Sequence, residues 1–290
     1  MKYVIPTLLA ISVIPLLSAC GGSSEDDDVI NTAPVYETLS SNAVSTSALV
    51  GSAIRSNGST GALEITTVSG SLTHNTGATT VTDGTYSLTD SDGITGGELT
   101  DGSSTLTTNG SQGFTGTYDF VRVYDQTYSS GGITYNSNGV HGVGTTVSDM
   151  PTSGSASYAG EASGLVIVGS QGFDLNSGTS TVDVDFGSET VNVTLTGFTA
   201  IDQVTGLAAT APIDTITATD MTIAGNSFDG GTITSSSGGA TTPVTGANTT
   251  TLGQGHFFGY EGANRRPDEV GGNLLIQGNG GIIAGTFVAD

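Results

Sequence analysis

The chain has few basic residues, few aromatic residues and almost no cysteine. Five Lys and Arg residues stand against 27 Asp and Glu residues, and the formal charge of the 290 residues is −22. Binding to a nucleic acid backbone needs basic groups that displace counterions, so this charge argues against nucleic acid as a partner. The single cysteine excludes an internal disulfide bond and a metal site with four thiolate ligands.

Small residues dominate the composition instead. Gly accounts for 45 of the 290 residues, and Thr and Ser are similarly frequent. These residue types are weak helix formers. Val, Ile, Phe, Tyr and Leu recur between them in alternation, a pattern that disordered chains lack. The composition therefore predicts an all-β protein of many short strands joined by Gly-rich turns.

Residues 1–19 have the pattern of a secretory signal peptide. A cationic start at Lys2 is followed by an apolar run, which is too short and too interrupted by proline for a stable membrane span. The tetrad 17–20, Leu-Ser-Ala-Cys, resembles the bacterial lipobox. The resemblance implies that Cys20 becomes the first mature residue and is acylated, so that lipid anchors the protein to a membrane. The alternative is an ordinary signal peptide in which a cysteine stands by chance.

The residues after Cys20 predict a destination and a tether. Gly21 follows the cysteine, whereas Asp at this position resembles a signal for retention in the inner membrane of Gram-negative bacteria. We therefore expect an outer-membrane, lipid-anchored protein on the cell surface of a Gram-negative bacterium. Residues 20–35, rich in Gly, Ser and acidic residues, predict a flexible tether. The acidic run 25–28 is either a solvated spacer or a weak cation site.

Two β-rich regions follow the tether. In the N-terminal module, residues 36–149, short alternating runs are separated by Asp-Gly and Asn-Gly pairs, which favour tight hairpin turns. In residues 150–290 the alternation is clearer, and residues 182–195 form a predicted hairpin with two alternating arms. A Gly-Gly pair within Phe228–Ile233 is typical of a barrel corner. Eight or nine short strands over about 140 residues predict a small closed antiparallel barrel, which leaves no exposed edges.

Three stretches of the C-terminal region contain recognisable motifs. The first is a Pro, Gly and Tyr-x-Gly pattern over 150–160, and the second is the hairpin at 182–195. The third combines F-x-G, E-x-G-G and G-x-F patterns at 255–259, 268–272 and 284–287. Together these stretches resemble the β-barrel of the bacterial transferrin-binding protein B family and its surface lipoprotein relatives. The lipobox and the tether agree with this resemblance.

The resemblance implies an all-β fold in which a β-rich, handle-like module precedes a small eight-stranded antiparallel barrel at the C-terminus. It also implies a non-catalytic lipoprotein, anchored in the outer membrane, that binds a host or environmental ligand. A host protein or haem is the candidate ligand, in iron or haem acquisition, and an outer-membrane transporter is a candidate partner. The family has two lobes and this chain has room for one, so transferrin binding itself is not carried over.

The composition also supports a function of another class. The chain is acidic, loses its only lysine with the signal peptide and is rich in Thr, Ser and Gly. A surface of this kind fits a structural or adhesive surface-coat lipoprotein that has no role in uptake.

Residues for catalysis or metal binding are scarce. The chain has no G-x-S-x-G motif, and without Lys2 it has no lysine for a P-loop, a Ser–Lys dyad or a Schiff base. We therefore predict that the protein is not an enzyme and needs no cofactor. His74, His141 and His256 lie far apart in the sequence and predict no metal site. The acidic residues of 83–101 either form hairpin turns or hold Ca²⁺, although they lack the spacing of an EF-hand.

Arg265 and Arg266 form the only basic cluster of the mature chain. They lie in a predicted loop between two of the closing strands. Arginine is enriched at interface hot spots, and its guanidinium group fits carboxylates. Both residues are therefore candidate ligand contacts, together with the nearby Tyr260. The alternative is a pair of salt bridges to Glu261, Asp268 or Glu269.

Four tyrosines flanked by Gly and Ser form a second candidate binding patch. They are Tyr118, Tyr124, Tyr128 and Tyr135. Alternatively, these side chains alternate between the two faces of a sheet. Asp183 and Asp185 share one face of a predicted strand, where they are either a carboxylate pair or the polar side of an alternating strand.

Overall fold

The computed structural model describes residues 35–39, 46–57, 63–75, 78–82, 87–90, 98–101, 104–108, 114–130, 133–237, 244, 249–260, 262, 265–278 and 280–290. The predicted signal peptide, Cys20 and residues 20–34 of the predicted tether lie outside the described residues. All described residues belong to one compact unit, Ala33–Asp290. Among them, no helix has the length and apolar character needed to cross a membrane.

The N-terminal module forms an antiparallel sheet, which we call the handle sheet. Within the described residues, eight strands pair in the spatial order β4-β3-β2-β1-β8-β7-β6-β5. Thr alternates with Val, Ile and Leu in many of these segments, and β-branched side chains fit a pleated surface. The strands are β1 (Thr46–Asn57), β2 (Leu63–Asn75), β3 (Ala78–Thr82), β4 (Ser87–Asp90), β5 (Glu98–Asp101), β6 (Ser104–Thr108), β7 (Val121–Ser130) and β8 (Ile133–Gly142).

The C-terminal region forms a closed antiparallel barrel. Among the described residues, eight strand positions complete the ring β9-β10-β11-β14-β15-β17-β18-β19, and β19 pairs with β9. Beyond β15, β16 continues along β14, and the short β12–β13 hairpin extends from the first half of β10. These strands are β9 (Ser155–Val168), β10 (Gln171–Asp185), β11 (Thr190–Thr196), β12 (Thr199–Asp202), β13 (Ala208–Ala209), β14 (Thr215–Ala224), β15 (Ser227–Asp229), β16 (Thr232–Ser236), β17 (Thr250–Phe258), β18 (Glu269–Gly278) and β19 (Gly281–Ala289).

This architecture confirms the predicted all-β fold with an eight-stranded barrel. Val182 lies opposite Val193 across the predicted β10–β11 hairpin. Gly230 and Gly231 separate β15 from β16 with φ angles of +74° and +78°, a region of backbone space that glycine enters without a steric penalty. The chain division at residues 149 and 150 stays a prediction.

The burial of each strand depends on what covers its outer face. In β11, Val191, Val193 and Leu195 point into the barrel and are buried, while the residues between them are exposed. In β18 and β19 almost every residue is buried. Their inner side chains join the barrel core, and their outer side chains pack under the handle sheet. Both faces therefore select apolar residues, and the alternation disappears.

The handle sheet covers the outer face of β17, β18 and β19. Val50, Val121 and Val140 of the sheet pack with Phe258 and Val288 of the barrel. A second cluster consists of Ile54, Leu275, Ile282 and Ala284. Complete burial of an aliphatic side chain of this size contributes roughly 1.5–3 kcal/mol, so the two sheets stabilise each other through this contact.

The glycines of the E-x-G-G motif let the neighbouring segments approach closely. A Cβ atom on Gly272 would overlap the carbonyl oxygen of Gln254 and lie 3.0 Å from the Phe287 ring. A Cβ atom on Gly271 would lie 3.2 Å from the Val140 side chain in the handle sheet. The motif therefore serves both the barrel wall and its contact with the sheet.

We expect Gly272→Ala to lower the free energy of unfolding by roughly 2–3 kcal/mol, because the added methyl group must displace the β17 backbone or the Phe287 ring. Urea unfolding followed by circular dichroism measures the change. Gly187→Ala is the matched control, since the nearest atom to its Cβ would be the Asp185 carboxylate at 3.3 Å. That variant should change the free energy of unfolding by less than about 0.5 kcal/mol. Equal stability of the two variants would contradict the packing argument.

Candidate functional site at one end of the barrel

The loops that contain the predicted ligand contacts lie at one end of the barrel. Because neighbouring strands are antiparallel, the turns 186–189 and 225–226 lie at the same end as the loop 259–268. The connection 143–154 from the handle sheet also reaches this end. We use the name barrel-end surface for Tyr36, residues 146–149 and the described residues of 259–268.

Arg265 and Arg266 have different environments in this loop. Arg265 is exposed and has a φ of +52°, which is uncommon for a residue with a Cβ atom. Arg266 is half-buried, and its guanidinium carbon lies 5.7 Å from the centroid of the Tyr158 ring. Tyr158 points into the barrel, and its hydroxyl donates to the carbonyl oxygen of Pro267 at 3.0 Å. Arg266 therefore caps the barrel end through a cation–π contact, while Arg265 faces solvent.

Tyr260 joins this loop to the connection from the handle sheet. Its ring stacks on Tyr36 with 6.2 Å between the centroids. The Tyr36 hydroxyl donates to the Asp149 carboxylate at 2.7 Å and accepts the Thr146 backbone N–H at 2.7 Å. Hydrogen bonds from Thr146 and then Tyr36 lower the pKa of Asp149, so they favour its charged form. These contacts hold both aromatic rings in place at the barrel end.

A buried carboxylate lies beneath this surface. Glu269, which is 4% exposed, begins β18. Its Oε1 accepts the backbone N–H of Asp119 at 2.6 Å, and its Oε2 accepts those of Phe120 and Val121 at 2.9 and 2.8 Å. We call this arrangement the Glu269 clamp. It places the first residue of β7 directly against the barrel.

A second barrel carboxylate binds the preceding residues of the same segment. Glu161 of β9 accepts the backbone N–H of Thr115 at 3.0 Å, the Thr115 hydroxyl at 2.6 Å and the backbone N–H of Gly116 at 2.7 Å. The segment 114–121 is thus attached to the barrel through side-chain oxygen atoms at both ends. Residues 114–120 belong to no strand, so a neighbouring strand does not accept their backbone N–H groups. The carboxylate oxygens of Glu161 and Glu269 accept several of these N–H groups instead.

Two opposing effects act on the Glu269 carboxyl. Burial, the larger effect, raises its pKa to about 7, whereas the three backbone donors lower it. Arg122 lies nearby, and burial lowers the pKa of its guanidinium while Glu269 raises it. The sequence indicated Glu269 as part of the E-x-G-G motif and as one of three possible salt-bridge partners of the arginines. An acidic residue two positions before a Gly-Gly pair, at the start of a buried strand, was the available sequence signal.

The two aspartates of β10 line a groove on the outer barrel wall. The groove has a volume of about 540 Å³ and includes Asp183, Asp185, Asn192 and Arg266. Asp185 accepts the backbone N–H groups of Gly187 and Ser188, at 2.9 and 3.0 Å, so it shapes the hairpin turn. Both aspartates share the exposed side of the alternating strand.

The structure corrects the predicted tyrosine patch in part. Tyr124 is 1% exposed, so its side chain is not available to a ligand on the surface. The Tyr124 side chain packs over Gly51 and Gly139, on the face of the handle sheet away from the barrel. It occupies the space that a side chain at either glycine would need. Tyr118 is 9% exposed and lines a cavity of about 320 Å³. The side chains of Tyr128 and Tyr135, and those of the acidic residues in 83–101, lie outside the described residues.

The histidines do not form a shared site among the described residues. His256 lies between the barrel and the handle sheet, 5.2 Å from the Phe258 ring, where burial lowers the pKa of its imidazole to about 4. Its Nε2 is buried and has no hydrogen-bond partner. His141 is buried in the handle sheet, and the His74 side chain is not described. Within the described part of the chain, no three His, Cys, Asp or Glu side chains come together as metal ligands.

The barrel matches a known protein family. Residues 150–290 match the family described as the C-lobe and N-lobe beta barrels of Tf-binding protein B. No curated protein matches the sequence.

Solved structures of transferrin-binding protein B match most of this chain over part of their own length. Intact Ap-TbpB, with its N and C lobes, has a TM-score of 0.49 and 15% identity over 83% of this chain and 46% of its own. The isotype 1 protein from serogroup B Neisseria meningitidis has a TM-score of 0.47 and 21% identity over 83% and 43% of the two chains. A mutant of the Haemophilus parasuis Hp5 protein has a TM-score of 0.47 and 16% identity over 84% and 44%. This chain therefore spans less than half the length of these proteins.

We expect Glu269 to lower the free energy of unfolding as the pH rises from about 4.5 to about 7. In this interval the folded chain keeps a proton that the unfolded chain has lost, since the folded pKa is about 7. The difference in free energy of unfolding between the natural chain and Glu269→Gln, which cannot titrate, should fall by roughly 3 kcal/mol over that interval and stay constant above pH 8. Urea unfolding at each pH measures it. A difference that rises with pH would mean that the three backbone donors outweigh burial.

Proposed function

We propose, on the premise that residues 150–290 belong to the family of transferrin-binding protein B beta barrels, that this chain captures a protein ligand at the bacterial surface. A lipid on Cys20 would anchor it in the outer membrane of a Gram-negative bacterium, with residues 20–35 as a tether. The ligand would be an iron-carrying or haem-carrying host protein, and an outer-membrane transporter would receive the cargo. The barrel-end surface is the observation on which this proposal rests.

The composition of the barrel-end surface supports a protein ligand. Arg265 is exposed, and Tyr260, from the same loop, stacks on Tyr36. Val147 is 63% exposed in the adjoining 3₁₀ turn, which gives the surface an apolar contact as well. Tyr and Arg are enriched among the residues that dominate binding energy at protein interfaces. Arg265 also has one of the few positive charges of a strongly acidic chain. An acidic patch on the ligand would therefore be attracted to this residue.

Direct capture of free haem has less support than capture of a protein. Haem iron is commonly held by an exposed imidazole nitrogen in an open pocket. Nε2 of His256 is buried under the handle sheet, and His141 is buried as well. A haem ligand from His256 would require the sheet to separate from the barrel.

A surface-coat role is the second candidate, because one observation favours it. The outer wall formed by β11, β14 and β16 is covered by hydroxyl side chains that pair across strands, as in Thr217 with Thr234 at 2.8 Å and Thr196 with Thr215 at 3.4 Å. Such a wall is polar and has few groups that dominate protein interfaces. It would suit a hydrated coat.

We expect the unacylated full chain to bind at least one of the probes apotransferrin, iron-loaded transferrin and haemoglobin, as measured by surface plasmon resonance. Arg265→Ala and Tyr260→Ala should each weaken the Kd about tenfold or more, since truncation of an interface hot spot has effects of this size. Thr181→Ala, on the exposed barrel wall, is the control and should leave the Kd unchanged. Absence of saturable binding to all three probes would reject capture of these proteins and favour the coat.

The lipid anchor has its own test. Cys20→Ser removes the thiol that acylation requires, so the protein should move from the membrane fraction to the soluble fraction. Immunoblotting of the fractions measures this, and Ser18→Ala is a control that keeps the cysteine. Protease treatment of intact cells should degrade the natural protein if it faces the medium. Membrane retention of the Cys20→Ser protein would contradict the anchor.

A further inference from the structure

A cleft separates the handle sheet from the barrel on the side away from the barrel-end surface. It has a volume of about 490 Å³. Ile54 and Leu63 form one wall, and Leu165 and Ile167 of β9 form the other. Leu63, Leu165 and Ile167 are only partly buried, because the apolar contact between the two sheets ends here. We call this space the side cleft.

Hydrogen bonds behind the side cleft fix the separation of its walls. The amide of Gln277 donates to the carbonyl oxygen of Leu63 at 2.7 Å. The amide of Asn273 donates to the carbonyl oxygen of Asn138 at 3.2 Å, and the Ser52 hydroxyl donates to the Asn138 side chain at 3.1 Å. The bonds from Gln277 and Asn273 join β18 to the handle sheet, and the bond from Ser52 fixes Asn138 within that sheet, so the cleft is a formed cavity whose walls a ligand need not rearrange. Its volume falls within the range of roughly 300–1,000 Å³ that small-molecule sites occupy.

The charge of the side cleft is entirely negative among the described residues. Asp125 approaches from the handle sheet and Asp174 from the barrel, and no Lys, Arg or His is among the described residues that line it. The amide of Gln203 donates to Asp174 Oδ1 at 2.6 Å and holds that carboxylate at the mouth. The field of a chain with charge −22 adds to the attraction for a cation and repels an anion.

We propose that the side cleft binds a small amphipathic organic cation, a primary amine with an aliphatic chain. The aliphatic chain would lie between Ile54 and Leu165, where its burial removes apolar surface from water. The ammonium group has three N–H donors and no acceptor, so it matches the carboxylates of Asp125 and Asp174. This site does not involve the barrel-end surface, and the proposal does not depend on the ligand captured there.

Octylamine and octanoate test the proposal, because they share an apolar chain and differ in the sign of the charge. Isothermal titration of the unacylated full chain, in detergent-free buffer with about 150 mM salt, should give saturable binding of one octylamine and none of octanoate. The salt screens general attraction to an acidic chain. Asp174→Asn should weaken the octylamine Kd at least fivefold. Asp183→Asn, which removes the same charge from the groove on the outer wall, is the matched control and should change it less than twofold.

A charge-reversal variant at Asp174 tests the same site through the sign of the ligand that it binds. Asp174→Lys should abolish octylamine binding and produce octanoate binding, and a thermal melt checks that each variant is folded. Three results would overturn the proposal: no octylamine binding by the natural chain, equal binding of the two probes, or equal weakening by Asp174→Asn and Asp183→Asn. The last result would mean that octylamine responds only to the net charge of the protein.

Discussion

The Glu269 clamp joins the two sheets of this protein. One carboxylate accepts three consecutive backbone N–H groups from residues 119–121, at the point where β7 begins. A buried N–H without an acceptor costs about 1–3 kcal/mol, so the segment needs these oxygens to lie where it does. The clamp sets the start of β7, and β7 with β8 and β1 then covers the outer face of β17, β18 and β19.

This covered face decides which surfaces remain for binding. Strands β18 and β19 are buried on both sides, and almost none of their side chains is accessible to a ligand. The open surfaces lie where the contact between the sheets ends. At the barrel end, the loop 259–268 contains the exposed Arg265 and also Tyr260, which stacks on Tyr36. At the side, the apolar contact between the sheets ends and leaves a cleft with two aspartates. Both proposed sites are thus consequences of how far the handle sheet reaches over the barrel.

The sequence predicted the features that depend on near neighbours. The β10–β11 hairpin follows from alternation on both sides of a short loop, and the corner at Gly230 and Gly231 follows from glycine's access to positive φ. Of the two alternatives for the tyrosines, a surface patch is wrong for Tyr124, because alternation does not reveal that both faces of a strand can be covered. The sequence indicated Glu269 as one of three possible salt-bridge partners of the arginines, and it did not reveal the backbone donors, which lie about 150 residues earlier in the chain.

The sequence by itself determined the fold class and a small closed barrel of eight or nine strands. These depend on residue spacing within each strand and turn, which the order of amino acids expresses directly. Only the tertiary structure decided that Arg266 caps the barrel over Tyr158, that Glu269 binds the start of β7, and that a negatively charged cleft opens between Leu63 and Leu165. The physical reason is that each of these sites joins segments far apart in the chain, and their meeting depends on how two sheets pack.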